Sequence, residues 1–352
     1  MSTNNIKKLL QSIVAHGASD LHLVSRSEPQ LRLDGALKPI NLPKLTGTEI
    51  EEMCYSLLTE KQKLTFEEEH ELDFALELEG IGRFRANFYR TMGDMAAAFR
   101  VIPIHVPSLD DLGAPPIYKQ LIRREKGLVL VTGPTGSGKS TTLAAMLNEI
   151  NMTESKHVIT AEDPVEFVHQ NKKSIFSHRN IGEDTRDFAT ALKYAMRQDP
   201  DIILVGEMRD KETISAALTA AETGHLVFGT LHTNSAPGTI NRIIDVFSGD
   251  EQPQIRAMLS SSLVAVISQA LLPKIGGGRL AASEILVVNH AIANLIREDK
   301  VHQIYSSMQL GQGDTGMQTQ TQEFVRLVKG GVISRQTALQ FSNKPDELRN
   351  LI

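Results

Sequence analysis

A glycine-rich segment between a short apolar run and a helix-forming stretch constrains the fold more than any other feature of the chain. The apolar run is 127–132, the segment follows the pattern GxxxxGK[ST], and the helix-forming stretch is 141–148. A strand, a glycine loop and a helix start together aim free backbone N–H groups at a polyphosphate. The loop consists of Gly133, Pro134, Thr135, Gly136, Ser137, Gly138, Lys139 and Ser140, followed by Thr141. We therefore expect this chain to bind ATP or GTP.

Two side chains of this loop have predictable roles. Lys139 is expected to reach the β- and γ-phosphates, and the Ser140 hydroxyl is expected to contact Mg²⁺. The alternative is a glycine-rich turn with a chance lysine, which leaves the flanking strand and helix unexplained.

Composition limits the class of protein. With 352 residues, two domains are expected. No stretch approaches the roughly 20 apolar residues of a membrane span, and residues 1–10 lack the features of a secretory signal, so we expect a soluble protein. One cysteine, Cys54, argues against an internal disulfide and a four-cysteine zinc site and fits a reducing cytoplasm. A net charge of −5 argues against a nucleic-acid-binding protein.

The chain changes character after residue 102. Residues 1–102 contain an amphipathic helix, a hairpin around Asp34-Gly35, two helical stretches and three strand patterns, which together predict a smaller α+β domain. Residues 103–115 are punctuated by proline and are expected to be a linker. Residues 116–352 begin with alternating strands and helices, which predict a parallel sheet with helices on both faces. The predicted elements are 127–132, 139–150, 157–162, 187–197, 201–206, 210–223, 226–231 and 236–247, followed by short strands at 263–268 and 280–287.

Acidic residues follow two of the predicted strands. Glu162, Asp163 and Glu166 follow one, and Glu207 follows another. Ligands in an open α/β sheet bind at the carboxyl ends of strands, so these carboxylates are expected beside the phosphates, where they could handle Mg²⁺ and water. Glu207 is expected to orient Mg²⁺, and Glu166 or Glu207 to polarise the attacking water, with Glu166 preferred. A single acidic residue in such a position would be explained equally well as a helix N-cap.

Two histidines bracket the strand 226–231. Since an extended strand of this length spans about 20 Å, the two rings cannot both contact one phosphate. His232, with Thr230 near it, is expected to face the nucleotide and to sense the γ-phosphate, while His225 lies at the opposite rim. A structural role based on hydrogen bonds is the alternative for each histidine.

An alternating strand in the first domain carries arginines. Its period of two places Arg83, Arg85 and Asn87 on one face, opposite Phe84 and its apolar neighbours, while Arg90 has the other parity. A solvated strand face is one interpretation. The other is that these arginines stabilise a phosphoryl-transfer transition state, within the same subunit or in a neighbouring one.

Four segments in a fixed order resemble a known family. The segments 133–140, 160–167, 199–210 and 223–235 are similar to the Walker A motif, Asp box, Walker B motif and His box of the type II/IV secretion ATPases. Within that superfamily, the segments 17–22, 83–90 and 294–300 resemble the type IV pilus retraction ATPases. The similarity covers nearly the whole chain.

This resemblance implies an architecture and a role. The first domain would be PAS-like, the second would be a RecA-like P-loop ATPase domain, and a homohexamer would bind ATP with Mg²⁺ between the two domains. The family's arginine fingers map to Arg83, Arg85 and Arg90, its catalytic glutamate to Glu166, its Walker B glutamate to Glu207, and its histidines to His225 and His232. Such a ring would power pilus retraction and twitching motility at the cytoplasmic face of the inner membrane, together with the inner-membrane platform protein of the pilus machinery.

The chain departs from the retraction pattern in two places. Ala293 stands where the family has an arginine, and the segment His178-Arg179-Asn180 replaces a Gln-Arg-Glu core. Neither change touches the predicted phosphate, Mg²⁺ or water residues, so we expect hydrolysis to be intact. An accessory retraction paralogue, or another assembly ATPase of the superfamily, is the alternative. Two further alternatives come from other classes of protein. A nucleic-acid motor is disfavoured by the acidic net charge and the lack of tryptophan. A scaffold that binds nucleotide without hydrolysis is disfavoured because Glu166 and Glu207 are present.

Overall fold

The computed structural model describes residues 2–33, 36–102, 106–311 and 315–352, and the chain divides into two units, residues 1–105 and 106–352. The predicted turn at Asp34-Gly35 and the linker residues 103–105 lie outside the described residues. Residues 106–115, also predicted as linker, belong to the second unit, where Leu109 is buried in the core. The bounds of the linker stay a prediction.

The first unit is an antiparallel sheet with helices packed against it. The helices are α1 (Ser2–Ala15), α2 (Gly47–Tyr55) and α3 (Glu60–Glu69), and the strands are β1 (Asp20–Leu23), β2 (Gln30–Leu33), β3 (Ala36–Pro39), β4 (Glu71–Leu78), β5 (Gly82–Thr91) and β6 (Asp94–Ile102). The strand order is β3-β2-β1-β6-β5-β4. Helix α2 starts where the sequence supplies a capping box, because Thr46 and Glu49 satisfy each other's backbone N–H groups. The predicted α+β class is confirmed, and the PAS-like assignment stays a prediction.

Aromatic side chains form the centre of the first core. Phe88 lies 5.1 Å from Phe74, 5.6 Å from Phe99 and 6.5 Å from Phe66, measured between ring centroids. All three ring pairs meet edge to face, the arrangement that the charge distribution of aromatic rings favours. Since Phe84 and Phe88 are fully buried, the predicted alternation of β5 holds, and Arg83 and Arg85 are directed away from this core. Arg90 has the parity of the two phenylalanines and lies over the Phe66 ring at the end of the strand.

The second unit is built on a mixed sheet. Its order is β13-β12-β7-β11-β10-β8-β9, in which β13 is antiparallel to β12 and the remaining pairs are parallel. The elements are α4 (Ile117–Leu121), β7 (Gly127–Thr132), α5 (Lys139–Thr153), β8 (His157–Glu162), β9 (Ile175–Asn180), α6 (Phe188–Ala195), β10 (Ile202–Val205), α7 (Lys211–Glu222), β11 (Leu226–Leu231), α8 (Ala236–Asp245), α9 (Gln252–Ser262), β12 (Leu263–Pro273), β13 (Arg279–Val287), α10 (His290–Arg297), a 3₁₀ turn (Val301–Gln303), α11 (Ile304–Leu310), α12 (Gln320–Lys329), α13 (Arg335–Phe341) and α14 (Pro345–Arg349).

Helices cover both faces of this sheet, as predicted. Alternate residues of β7 enter two separate cores, Leu128 and Leu130 on one face and Val129 and Val131 on the other. Helix α5 packs on the second of these faces, and α7 to α10 pack on the first. The predicted parallel pairing is confirmed for β7, β8, β10 and β11, and the short strands predicted at 263–268 and 280–287 extend the sheet as β12 and β13. Strand β13 is antiparallel to β12, because only residues 274–278 separate the two and a parallel partner needs a long crossover.

Candidate active site

Four parallel strands, β7, β11, β10 and β8, end side by side. The predicted residues that directly follow these strands therefore lie at one edge of the sheet. Leu231 of β11 pairs with Thr132 of β7, and Val205 of β10 pairs with Gly229 on one side and Ala161 of β8 on the other. The glycine loop, the acidic segment 162–166, Glu207 and His232 all follow these ends directly. Strand register alone therefore brings them together.

The glycine loop has a backbone that side chains would obstruct. Gly133, Gly136 and Gly138 have φ values of 142°, 78° and 91°, which L side chains rarely adopt. At Gly133 an added Cβ would also lie 2.6 Å from Ser137 Oγ. Gly138 is the residue before α5, so the loop leads directly into the helix N-terminus. This geometry presents backbone N–H groups to an anion.

Lys139 lies across this loop. Its Nζ donates to Gly133 O at 2.9 Å and to Pro134 O at 3.1 Å. Burial lowers the pKa of Lys139, and the negative charges of Glu207 and Glu166 act in the opposite direction. The ammonium group is therefore held in the loop and within electrostatic reach of both predicted carboxylates.

Glu207 is partly enclosed, whereas Asp163 and Glu166 are exposed. Its side chain is 18% exposed, pairs with Arg209, and lies 3.1 Å from His232 Nε2 through Oε1. Burial acts to raise the pKa of Glu207, but the hydrogen bonds and charges of Arg209 and His232 outweigh it and the pKa is lowered. Glu207 is consequently ionised at neutral pH and can accept a hydrogen bond from water.

Gly206, the residue before Glu207, lies close to the neighbouring strand β8. Its N–H donates to Ala161 O at 2.8 Å, and an added Cβ would lie 3.1 Å from Glu162 Cα. Thr230, on the other neighbouring strand, donates its hydroxyl to Gly206 O. Glycine at this position lets the end of β10 approach β8, which brings Glu207 and Glu162 to neighbouring positions.

The acidic segment is held by its own strand and by β9. Glu166 is exposed, and its N–H lies 3.4 Å from Glu162 Oε2. Asp163 is also exposed, and Asn180 Oδ1 accepts a 2.9 Å hydrogen bond from Val165 N. The segment 178–180, which departs from the family pattern, therefore supports the loop that carries Glu166. The bond goes to Val165 and not to a predicted phosphate, Mg²⁺ or water residue, and intact hydrolysis stays a prediction.

His232 and His225 lie at opposite ends of β11, as the strand-end rule predicts. His232 is beside Glu207. His225 Nδ1 donates to Ala220 O at 3.0 Å, and thus binds a carbonyl of α7. The structure brings His232 into the site and leaves His225 outside it, in a structural position.

Two of the three predicted arginines of the first unit, Arg85 and Arg90, already have carboxylate partners. Arg85 forms a two-bond pair with Asp73, at 2.5 Å between Nη2 and Oδ2 and 3.1 Å between Nε and Oδ1. Arg90 binds Glu51 at 2.9 Å, and its guanidinium lies 5.3 Å from the centre of the Phe66 ring. Arg83 shares the partly exposed face of Arg85. A role in catalysis would require Arg85 and Arg90 to exchange these partners.

The residues around Ser140 suit Mg²⁺ better than a metal held by protein alone. Ser140 ends the loop and lies in the first turn of α5, and ionised Glu207 follows β10, which β11 separates from β7. Among the described residues, no group of three or more His, Cys, Asp or Glu side chains could hold a metal ion. Mg²⁺ is commonly bound through one or two protein oxygens, phosphates and water, and the site fits that pattern.

Membership of a family follows from comparison with known proteins. The family model described as type II/IV secretion system protein matches residues 2–336. The chain belongs to the type II/IV secretion system protein family.

Relatives within this family cover almost the whole chain. The chain is 51% identical to a type IV pilus retraction ATPase, PilT, of Pseudomonas aeruginosa over 97% of this chain and 99% of that protein. It is 49% identical to a twitching motility protein of Neisseria gonorrhoeae, over 95% of this chain and 89% of that protein. A crystal structure of the pilus retraction motor PilT with bound ADP matches with a TM-score of 0.92 and 49% identity, over 98% of this chain and 99% of that chain. The predicted resemblance and fold class are confirmed.

Sequence reasoning missed some polar residues at the site. Arg209 pairs with Glu207, yet nothing in the strand pattern marks it. Gln269 of β12 is 3% exposed and donates to Thr142 Oγ1 at 2.9 Å, directly beneath the glycine loop. In the sequence, Gln269 could have been noticed as a polar amide residue within an apolar strand. Thr142 lies two residues after the end of the predicted loop, so the loop pattern does not include it.

The other departure from the family pattern lies on α10. Ala293 is partly exposed between the buried residues Ile292 and Ile296. The helix starts at an Asn289 cap, whose Oδ1 accepts from Ile292 N at 3.0 Å. Alanine is compatible with this helix, and Ala293 lies outside the glycine loop, the acidic segment and the His box.

The described part of the chain contains no helix with both the length and the apolar composition that a membrane-spanning segment needs.

Proposed function

We propose that this chain is a motor ATPase that hydrolyses ATP to power retraction of a type IV pilus. The observation that carries the proposal is the meeting of the glycine loop, Glu166, Glu207 and His232 at one sheet edge, in a chain 51% identical to a pilus retraction ATPase. The arrangement suits phosphoryl transfer, in which the protein chiefly positions groups and stabilises charge.

The chain's residues divide the chemical work. Backbone N–H groups of Thr135, Gly136 and Gly138 and the α5 N-terminus bind the β- and γ-phosphates, and Lys139 leaves its carbonyl acceptors to bind phosphate oxygens. Glu166 or Glu207 orients the attacking water and accepts its proton, and Glu166, the more exposed of the two, is the preferred base. Ser140 and Glu207 would hold Mg²⁺, Glu207 through water. The chemistry that Mg²⁺ supplies when bound is neutralisation of charge on the phosphate oxygens.

His232 couples the state of the γ-phosphate to the protein. Because His232 Nε2 lies 3.1 Å from Glu207, a change in the hydrogen bonding of either group reaches the other. His225, bound to the end of α7, takes no direct part in this proposal.

The working form in this proposal is a homohexamer. Arg83, Arg85 and Arg90 contact the phosphates of a bound ATP and supply positive charge to the transition state. Nucleotide contacts shift the balance of an interdomain hinge in residues 103–115, and that movement drives pilin removal. The ring works at the cytoplasmic face of the inner membrane, against the platform protein of the pilus.

The test of the motor's direction is a deletion of the gene. A retraction motor leaves cells with surface pili but without twitching motility, whereas an extension motor leaves cells without pili. Plasmid-borne wild type should restore motility, and Lys139→Ala should not. Bald cells after deletion would contradict the proposal.

An accessory retraction paralogue is the second candidate, suggested by Ala293 and the 178–180 segment. Expression in a strain that lacks every other retraction ATPase distinguishes the two. A self-sufficient motor restores twitching alone, whereas an accessory one does so only beside a second ATPase. The variant Ala293→Arg serves as the matched comparison, since it restores the family residue on a partly exposed helix face.

A further inference from the structure

The loop that carries His232 is fastened from the C-terminal part of the second unit. It comprises residues 232–235, between β11 and α8. Asn343 Nδ2 donates to Asn234 O at 2.6 Å, and Ala236 N, at the first position of α8, donates to Glu284 Oε1 at 2.7 Å. Asn343, in the segment before α14, thus binds the loop itself, and Glu284 of β13 binds the residue that directly follows it.

Glu284 is the central group of this arrangement. Its side chain on β13 is 3% exposed, and its second oxygen, Oε2, accepts from Gln320 N at 3.2 Å. Gln320 is the first residue of α12. One buried carboxylate therefore joins the N-termini of two helices, where the partial positive charge of each helix favours a negative group.

Close packing does not fix this part of the loop by itself. A cavity of about 320 Å³ lies beside it, lined by Asn234, Ser235, Glu284, Tyr305, Gln320 and Asn343. Thr233 and Ser235 tie the loop to α8 through Thr239 and Gly238. The hydrogen bonds of Glu284 and Asn343 add the connection of the loop and the start of α8 to β13 and to the segment before α14.

We propose that Glu284 is a positioning residue for ATP hydrolysis, which acts by holding the His232 loop at the distance that His232 needs from Glu207. The inference rests on the proposed role of His232. The same carboxylate connects the start of α12 to the start of α8, because it accepts from both Gln320 N and Ala236 N.

The substitution Glu284→Gln tests the proposal. A glutamine keeps the shape but has one acceptor oxygen, so its amide group cannot satisfy both Ala236 N and Gln320 N. We expect kcat to fall about tenfold while KM for ATP stays within about twofold, since a displaced catalytic group affects turnover more than binding. Glu347→Gln is the matched control, because Glu347 binds Tyr305 and Gln309 without contacting the loop, and its kcat should match wild type.

A double-mutant cycle with His232→Ala separates positioning from general structural damage. If Glu284 acts through His232, Glu284→Gln lowers kcat by less than about twofold further in the His232→Ala background. Equal fractional losses in both backgrounds, or no loss in either, would overturn the inference. If His232→Ala itself leaves kcat unchanged, the proposed role of His232 fails and this inference with it.

A second variant guards against failure of Glu284→Gln to fold. Asn343 is exposed, so Asn343→Ala should leave the fold intact while it removes the donor to Asn234 O. We expect about a threefold loss of kcat that disappears in the His232→Ala background. A wild-type kcat for Asn343→Ala, together with an insoluble Glu284→Gln protein, would also overturn the proposal.

Discussion

The two units hold their functional cations in different ways. In the first unit, Arg85 and Arg90 bind carboxylates of the same unit, Asp73 and Glu51. In the second unit, Lys139 binds the backbone carbonyls of Gly133 and Pro134. A phosphate can replace neutral carbonyl acceptors directly, whereas an arginine must exchange one anionic partner for another. In the proposed function, Lys139 of the second unit can therefore take up phosphate directly, whereas Arg85 and Arg90 of the first unit first have to leave their carboxylates.

The cost of that exchange is small. The pair of Arg85 and Asp73 is more than one-third exposed on both sides, and such pairs contribute about 0–1 kcal/mol. A phosphoryl group with several negative charges can therefore compete for the arginine. This makes Arg85 available in spite of its partner.

Loss of the arginines should have the largest effect. We expect Arg83→Ala/Arg85→Ala to lower kcat about 10³-fold, since arginine fingers make contributions of at least that order. Mixed with Lys139→Ala subunits, the variant should recover part of its activity, because each subunit supplies what its neighbour lacks. Phosphate release from mixtures of defined ratio measures this. Rates that equal the weighted sum of the two parents would show that the arginines do not act between subunits.

Removal of the lysine should come next. Lys139→Ala is expected to slow phosphate release about 10²-fold, the effect of deleting one preorganised charge, and to weaken ATP binding. Lys156→Ala is the matched control, because Lys156 directly precedes β8 and therefore lies at the N-terminal ends of the strands, away from the loop, where it pairs with Asp201. Equal rates for both variants would contradict the assignment of the loop.

Acid should destabilise the second unit through His169. The ring is 7% exposed and stacked on Phe176 at 4.6 Å, and burial, with the charges of His178 and Lys172, lowers the pKa of His169 to about 4. Between this value and the ordinary 6.5, the unfolded chain binds a proton that the folded chain does not. The stability is complete above pH 6.5 and is lost as the pH falls, by about 2 kcal/mol near pH 5.

Thermal unfolding across this pH range measures the effect. The variant His169→Phe keeps a ring for the stack and should reduce the pH dependence. In the first unit, burial also lowers the pKa of His22. The variant His22→Phe therefore measures how much of the dependence of stability on pH comes from that residue. An unchanged slope in His169→Phe would contradict the prediction.

The smallest expected effect comes from freeing Arg85. Asp73→Asn removes the competing carboxylate, so ATP turnover should rise by less than about threefold, and the free energy of unfolding should change by less than about 1 kcal/mol. Asp110→Asn, which removes a similar exposed pair with Lys119 in the second unit, should leave turnover unchanged. A fall in turnover for Asp73→Asn would indicate that Asp73 holds Arg85 in its working position.

Much of the second unit could be predicted from sequence. The bounds of β7, β8 and β11 match the predicted 127–132, 157–162 and 226–231, because buried parallel strands are continuous apolar runs. The approach of the acidic segment, Glu207 and His232 to the loop follows from the same rule, since carboxyl ends of parallel strands share one edge.

Other features depend on tertiary contacts that a local pattern does not encode. Strand β9 is a partly polar edge strand, and its sequence IFSHRN lacks an apolar run. Helix α9, also unpredicted, begins with Gln252-Pro253 and has few apolar residues. The pairing of Arg85 with Asp73 joins residues 12 apart in sequence on neighbouring strands, and the bond between Glu284 and Ala236 joins residues 48 apart. Such pairings depend on register and fold.

The most direct test of the central claim is steady-state phosphate release by purified protein with excess ATP and Mg²⁺, compared between wild type, Glu166→Gln and Glu207→Gln. We expect at least one of these variants to bind ATP within about threefold of wild type and to release phosphate about 10²-fold more slowly, the usual contribution of a positioned base. Wild-type rates in both variants would contradict the assignment of hydrolysis to the acidic strand ends.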